Sequence, residues 1–333
     1  MTAASSSQSA TLPLTSRLVN VILSIKPLAL LAKHNARNMM IKRAEAIGVY
    51  WRQEVQALRT RGEGAAFSPA WEAELAAVQN PNLVYPDYYC CSFHAYEEGN
   101  LGWEPAMEVE VAAHAVHARI WPDGGAEGDT RLRQSFLNLL KEQGPENPQA
   151  ILDLGCSVGM STFALQSLYP RAALTGVDLS PYFLAIAHHR ARTGRQPNSL
   201  HTLQVMGPRP DAPAPRWLHA AAEETDLPDA SFDLVSAFLM FHELPQSAAV
   251  QVLREARRVL RPGGIFALMD MNPTSDIYAK MPPYILTLLK STEPYLDQYF
   301  ALDLEQALVE AGFEPPTVTC NTPRHRTVIA RAR

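Results

Sequence analysis

Three observations predict an α/β protein with a doubly wound, mostly parallel seven-stranded sheet, an antiparallel last strand and a helical N-terminal region. From Gln149 onward, apolar runs of strand length alternate with helical patterns, as parallel strands joined by crossover helices do. The last two runs, 316–321 and 326–330, have four residues between them, too few for a crossover helix, so they must pair as an antiparallel hairpin. Before Gln149, apolar residues recur instead at helical spacing.

In chain order, Met40, Ala44, Ile47, Trp51, Val55 and Leu58 form the stripe that a helix buries against a core. A short helix follows, with Ser68 as its N-cap and Pro69 at the first helical position, ending before Asn80 and Pro81. Residues 82–103 are aromatic-rich, lack helical or alternating period, and read as a lid-like loop packed over something. Helices are expected at 104–120 and 130–141, with a Gly-rich break at 122–128 between them. Strands are expected at 150–154, 173–178, 217–221, 232–238 and 264–269, and helices at 159–168, 181–193, 247–260 and 302–311. Residues 207–216 read as a Pro-rich surface loop and 261–264 as a turn. Residues 273–300 form an insertion in which Ile285, Leu288 and Leu289 suggest a packing helix, while Tyr278, Tyr284, Tyr295 and Tyr299 could border a ligand. The organisation is then a disordered tail at 1–16, a helical region at 17–130 carrying the loop 82–103, and an α/β domain at 131–333.

The 333 residues are 47% apolar and 19% charged with a net charge of -5, which is globular composition without the basic footprint of a nucleic-acid binder. Residues 1–61 carry +7 and the remainder -12, so the basic N-terminal helices either pack on the main domain or make peripheral contact with an anionic membrane. The acid-free first sixteen residues also faintly resemble a transit peptide. Cys90, Cys91, Cys156 and Cys320 show neither zinc spacing nor a disulfide framework, and the apolar run 18–32 is broken by Asn20, Ser24, Lys26 and Pro27. A reducing, cytoplasmic setting fits, with an organelle stroma or a membrane surface as alternatives.

The strongest local signal is Ile151-Leu152-Asp153-Leu154-Gly155-Cys156-Ser157-Val158-Gly159, an apolar strand entering a small-residue turn that opens a helix. Such a turn lets a ligand touch backbone, and the helix start presents free N–H groups. A phosphate loop is excluded because Met160 stands where its Lys would be. A dinucleotide fingerprint is excluded because Ser157 and Met160 occupy glycine places. The second strand ends in Gly176-Val177-Asp178-Leu179-Ser180, placing a carboxylate that can accept both hydroxyls of a ribose beside the first turn. Asp153 either joins that site or caps the turn, and Cys156 reads as a packing residue contributing backbone rather than as a nucleophile.

With Ala222-Glu223-Glu224-Thr225-Asp226-Leu227-Pro228 after strand three, Phe232-Asp233-Leu234-Val235 in strand four and the segment Val259 to Asp270 around strand five, the chain resembles the class I S-adenosylmethionine-dependent methyltransferases. The small-molecule branch that includes the ubiquinone and menaquinone C-methyltransferases is the nearest in pattern, over about residues 149–333. The resemblance implies a Rossmann-like methyltransferase domain and S-adenosyl-L-methionine as cofactor. It implies that Gly155, Ser157 and Gly159 contact the amino-acid part, Asp178 the ribose, Leu179 the adenine face, and Ala222 with Glu223 the adenine edge; Phe238 at the end of strand four completes the set. Ser157 departs from the glycine often found there.

The expected function is in-line methyl transfer to a small, apolar or aromatic acceptor; the alternative is a noncatalytic cofactor-binding module that engages a membrane or protein through its basic helices. If the acceptor is a hydroxyl, a base contributes about a hundredfold to ten-thousandfold. His242 and Glu243, at the rim after strand four, are the catalytic candidates. Tyr89, His94, Tyr96, Asn100 and Trp103 are the substrate-side candidates, able to meet a sulfonium through aromatic faces or to glue the helical region to the sheet. His325, in Pro-Arg-His-Arg, reads as part of a solvated basic turn, and no metal constellation is visible in the spacing.

Overall fold

The computed structural model describes residues 26–62, 64, 66–94, 96–194 and 212–333. The expected tail 1–16 and residues 207–211 of the Pro-rich loop lie outside the described residues. Among the described residues, four α-helices come first: α1 (Lys26–Ala46), α2 (Trp51–Thr60), α3 (Ala70–Val78) and α4 (Trp103–His117). The stripe Met40 to Leu58 is thus carried by two helices, because the chain turns at Gly48, whose φ of +88° suits a residue without Cβ. Ser68 makes no side-chain cap. It is buried, its N–H donates to the Arg59 carbonyl, and its own carbonyl accepts from Trp71.

Helix α5 (Gly128–Gln143) leads into the sheet, which runs β1 (Ala150–Leu154), α6 (Met160–Leu168), β2 (Ala173–Asp178), α7 (Pro181–Thr193), β3 (Arg216–His219), β4 (Phe232–Phe238), α8 (Gln246–Val259) and β5 (Leu260–Met271). Three short helices, α9 (Asp276–Ala279), α10 (Pro283–Thr292) and α11 (Leu296–Ala301), fill the insertion, followed by α12 (Leu304–Ala311), β6 (Thr317–Thr319) and β7 (His325–Arg331). The sheet order is β3-β2-β1-β4-β5-β7-β6, with β1 to β5 parallel and β7 antiparallel to both neighbours, as the short hairpin spacing requires. Order reverses between β1 and β4, and this reversal opens a crevice at the C-terminal strand ends.

Several boundaries differ from expectation for local reasons. Strand β3 ends at His219 because Ala221 folds back in a bridge with Glu224. Residues 261–264 are an irregular start of β5, not a separate turn: Leu260 pairs with Phe232 before the register shifts. His325 is buried at the start of β7, with Nδ1 2.8 Å from Thr322 Oγ1, so the basic turn is not solvated there. Burial and the nearby His117 push its pKa down to about 3. In the insertion, Tyr278 and Tyr299 are core residues and Tyr284 is exposed, while Ile285 and Leu288 face outward rather than packing.

The N-terminal helices are packed on the sheet's helical layer. Trp71 is fully buried with Ala106, Met107, Val158, Met160, Phe183 and Ile186, joining α3 and α4 to α6 and α7. Around this cluster, Glu74 accepts from Arg61 at 3.1 Å and Arg192 at 2.7 Å and meets His188 at 2.7 Å. In the β1–α6 turn, Gly155, Ser157 and Gly159 all have left-handed φ, +64°, +51° and +84°, and a Cβ on Gly159 would stand 2.9 Å from the rings of Phe163 and Trp217.

Two stability outcomes follow from this packing. Trp71→Ala should cost about 3–5 kcal/mol in chemical denaturation, because the surrounding four-helix cluster cannot collapse onto the space left. Ser157→Gly should instead raise stability by up to about 1 kcal/mol, since relief of the left-handed strain outweighs the added freedom of the unfolded chain; an unchanged or lower melting temperature would refute the strain.

Candidate functional site

The acidic tip of β2 organises the crevice. Asp178 Oδ2 accepts the Ser157 N–H at 2.8 Å and Oδ1 accepts the Ser180 N–H at 2.8 Å, so one carboxylate ties the turn after β1 to the start of α7. Burial raises its pKa to about 6, against the lowering effect of those two N–H groups and of a hydrogen bond from Tyr89. Asp153, fully buried on the central strand, accepts from Ser161 Oγ at 2.7 Å and Thr162 Oγ1 at 2.6 Å, and burial lifts it to about 6 as well. It therefore anchors hydroxyls of the first helical turn rather than backbone groups. Cys156 is buried, its N–H donates to the Val177 carbonyl, and burial pushes its thiol well above the usual range, consistent with an inert side chain.

Leu179 and Ala222 are buried at the ends of β2 and β3. Glu223 follows, its Oε1 accepting from Tyr88 Oη at 2.5 Å. Phe238 turns into the core, its ring beside Phe136 and under the Arg133 guanidinium at 4.6 Å, so its side chain does not join the others in the crevice. Three buried polar atoms among these residues, Asp153 Oδ1, Ser157 Oγ and Glu223 Oε2, have no hydrogen-bond partner. Such atoms cost free energy when left unpaired, and a ligand with polar edges would satisfy them.

The loop 82–103 lies against these strand ends and divides the substrate-side candidates. Tyr89 reaches Asp178, and His94 stands beside Glu243 (3.6 Å) and Glu293 (3.3 Å), with its own N–H donating to the Thr292 carbonyl. The other three turn elsewhere. Tyr96 Oη donates to Glu108 on α4 at 2.6 Å, Asn100 offers its carbonyl to Ser180 Oγ at 2.6 Å, and Trp103 packs with Phe67, Trp71 and Tyr182. These three fasten the loop and the helical region to the sheet.

Beside His94, His242 and Glu243 occupy a helical turn after β4. His242 Nδ1 is 2.8 Å from Asp270 Oδ1 and its N–H donates to Oδ2 of the same carboxylate. Burial lowers the imidazole pKa, but Asp270, Glu293 and Glu243 outweigh it and raise it to about 10. Glu243 is pushed up to about 7 by burial, against the lowering effect of His94 and His242. Asp270, Glu293 and Tyr88 were missed in the sequence. Asp270 carried a signal as the acid closing an otherwise apolar strand, whereas Glu293, in Ser-Thr-Glu-Pro, carried none.

Residues 152–268 match the methyltransferase domain family. Among curated proteins, an uncharacterized methyltransferase of Synechocystis sp. is 30% identical over 187 residues, covering 56% of this chain and 75% of that protein. The O-methyltransferase cnsE of Penicillium expansum is 30% identical over 213 residues, 61% of this chain and 67% of the other. A solved structure from Nostoc punctiforme, described as a candidate O-methyltransferase, superposes with a TM-score of 0.52 at 17% identity over 85% of this chain and 73% of that one, a likeness of fold. No described helix is long and apolar enough to cross a membrane. With a 30% identical relative covered over three quarters of its length and a sheet of this order, the chain belongs to the class I S-adenosylmethionine-dependent methyltransferases, with S-adenosylmethionine as its cofactor.

Proposed function

We propose that the protein methylates a small molecule with an aromatic or apolar body, bound between the loop 82–103, the turn carrying His242 and Glu243, and the insertion around α10. The observation that carries this reading is the meeting of the glycine turn and Asp178 with Tyr89, His242 and Glu243 at the C-terminal strand ends. The unpaired Asp153 Oδ1, Ser157 Oγ and Glu223 Oε2 fit a cofactor with amino-acid, ribose and adenine edges. Gly155, Cys156, Ser157 and Gly159 would hold the first, Asp178 the second, and Leu179, Ala222 and Glu223 the third. Bound there, S-adenosylmethionine supplies a methyl group already activated on a sulfonium sulfur.

The chain's own work is then alignment and exclusion of water. Tyr88 and Tyr89 close the loop over the strand ends by bonding Glu223 and Asp178. Asp270 fixes the His242 ring through Nδ1 and, with Glu293 and Glu243, keeps it protonated, so its Nε2–H is left to hydrogen-bond and orient an acceptor atom. The naming of the Penicillium relative supports oxygen as that atom. Against the noncatalytic alternative, Arg37, Arg52 and Arg61 of the basic N-terminal region are paired with Glu108, Glu45 and Glu74.

Calorimetric titration tests the cofactor half. S-adenosylmethionine and S-adenosylhomocysteine should bind with Kd of about 10⁻⁶ to 10⁻⁵ M, and Asp178→Ala should abolish both. A folded wild type that binds neither would sink the reading. The carboxylate, not the acid, accepts two hydroxyls, so affinity should be level above pH 7 and fall about tenfold by pH 5 as Asp178 protonates. Tyr89, Asp153 and Glu243 share its field, so the slope that Asp178→Asn removes is the part belonging to Asp178.

The acceptor half is tested by turnover with a compound from a phenol and quinone screen. His242→Ala should lower kcat about a hundredfold, and Asp270→Asn about tenfold, with cofactor Kd and acceptor KM unchanged. A rise in KM at constant kcat, or a loss explained by a lower melting temperature, would reduce Asp270 to a structural residue.

A further inference from the structure

We propose that His94, Glu243 and Glu293 form a divalent-cation site at the acceptor side of the crevice. One ligand atom from each lies within 4.8 Å of the others, although the three come from the loop 82–103, the turn after β4 and the end of α10. An imidazole nitrogen with two carboxylates is a donor set suited to Mn²⁺, Zn²⁺ or Mg²⁺, and its two negative charges match the ion's charge. A second observation points the same way. Glu293 is 8% exposed, its Oε1 faces His94 Nε2 at 3.3 Å, and its Oε2 is buried with no hydrogen-bond partner. A bare carboxylate oxygen in such a place is costly, and a metal ion would engage it.

The neighbouring groups leave room for the ion's charge. His242 is bound to Asp270 at 2.8 Å and reaches Glu293 only through its longer-range field. Glu243 Oε1 stands 3.6 Å from His94 Nε2, beyond hydrogen-bond reach, so an ion between them would replace a loose ion pair rather than a good hydrogen bond. Three protein ligands leave open positions, and one of them would take an oxygen of the acceptor. That role rests on the methyltransferase reading; the binding of the ion does not.

The test is titration of the full chain with Mn²⁺ alone, by calorimetry and by loss of the free-ion electron paramagnetic resonance signal. One ion per chain should bind with a Kd near or below about 10⁻⁴ M, weakened about tenfold or more by Glu293→Gln and by His94→Gln. Both variants should keep the wild-type melting temperature without metal and the wild-type affinity for S-adenosylhomocysteine, which shows that they are folded. The proposal is overturned if Mn²⁺, Zn²⁺ and Mg²⁺ all fail to bind at millimolar concentration, or if Mn²⁺ binds equally to wild type and both variants. Failure of S-adenosylhomocysteine binding in the wild type is a separate result and strikes the cofactor reading alone.

Discussion

The hydrogen bond from the Ser157 N–H to Asp178 Oδ2 is the constraint on which the rest of the site depends. It joins two strand ends that are neighbours in the sheet but lie on separate βα units, and it holds a non-glycine residue in left-handed backbone at φ +51°. A turn in that conformation aims successive N–H groups inward, and the carboxylate keeps free lone pairs after accepting two of them. Asp178 is thus a structural clamp and, in the proposed reading, a ligand acceptor at once. The burial that lets it clamp also raises its pKa, so the site holds its negative charge at a cost that surrounding packing must offset.

That packing comes from outside the α/β core. Trp71, Trp103 and Tyr182 weld α3 and α4 to α7, directly behind the β2 tip, and Ser180 Oγ donates to the Asn100 carbonyl in the loop. The helical region therefore braces the segment that carries Asp178 and Leu179. The loop leaves this brace at Tyr96, bound to Glu108, and reaches the crevice through Tyr88, Tyr89 and His94. Residues two to eight positions apart in one loop thus serve anchoring and closing in turn.

How much of this was legible in the sequence depends on how local each feature is. Largely apolar runs of strand length marked β1 and β4, and the four-residue gap marked the hairpin, because strand burial and loop length are written in neighbouring residues. The glycine turn and Asp178 were legible for the same reason. The substrate side was not. Tyr89 and Trp103 look alike in an aromatic-rich stretch, and only the tertiary fold sends one to Asp178 and the other to Trp71. The helix break at Gly48 and the burial of His325 escaped because each is decided by what packs against the segment, not by its own period.

The division has a physical cause. A cofactor shared across a family needs the same backbone N–H groups and the same carboxylate, so its site can be encoded in two short βα turns. An acceptor must be met from the other side of the reacting methyl, where no strand end supplies a fixed set. In the proposed reading the chain builds that side from residues 94, 243, 270 and 293, drawn from a loop, a turn, a strand end and an insertion. Their charges balance as a group: Asp270 holds His242, Glu293 faces His94, and Glu243 is left with the weakest pairing. Changing any one of the four alters the electrostatics of the other three, and through Glu243, which shares the field of Asp178, the change reaches the turn after β1 as well.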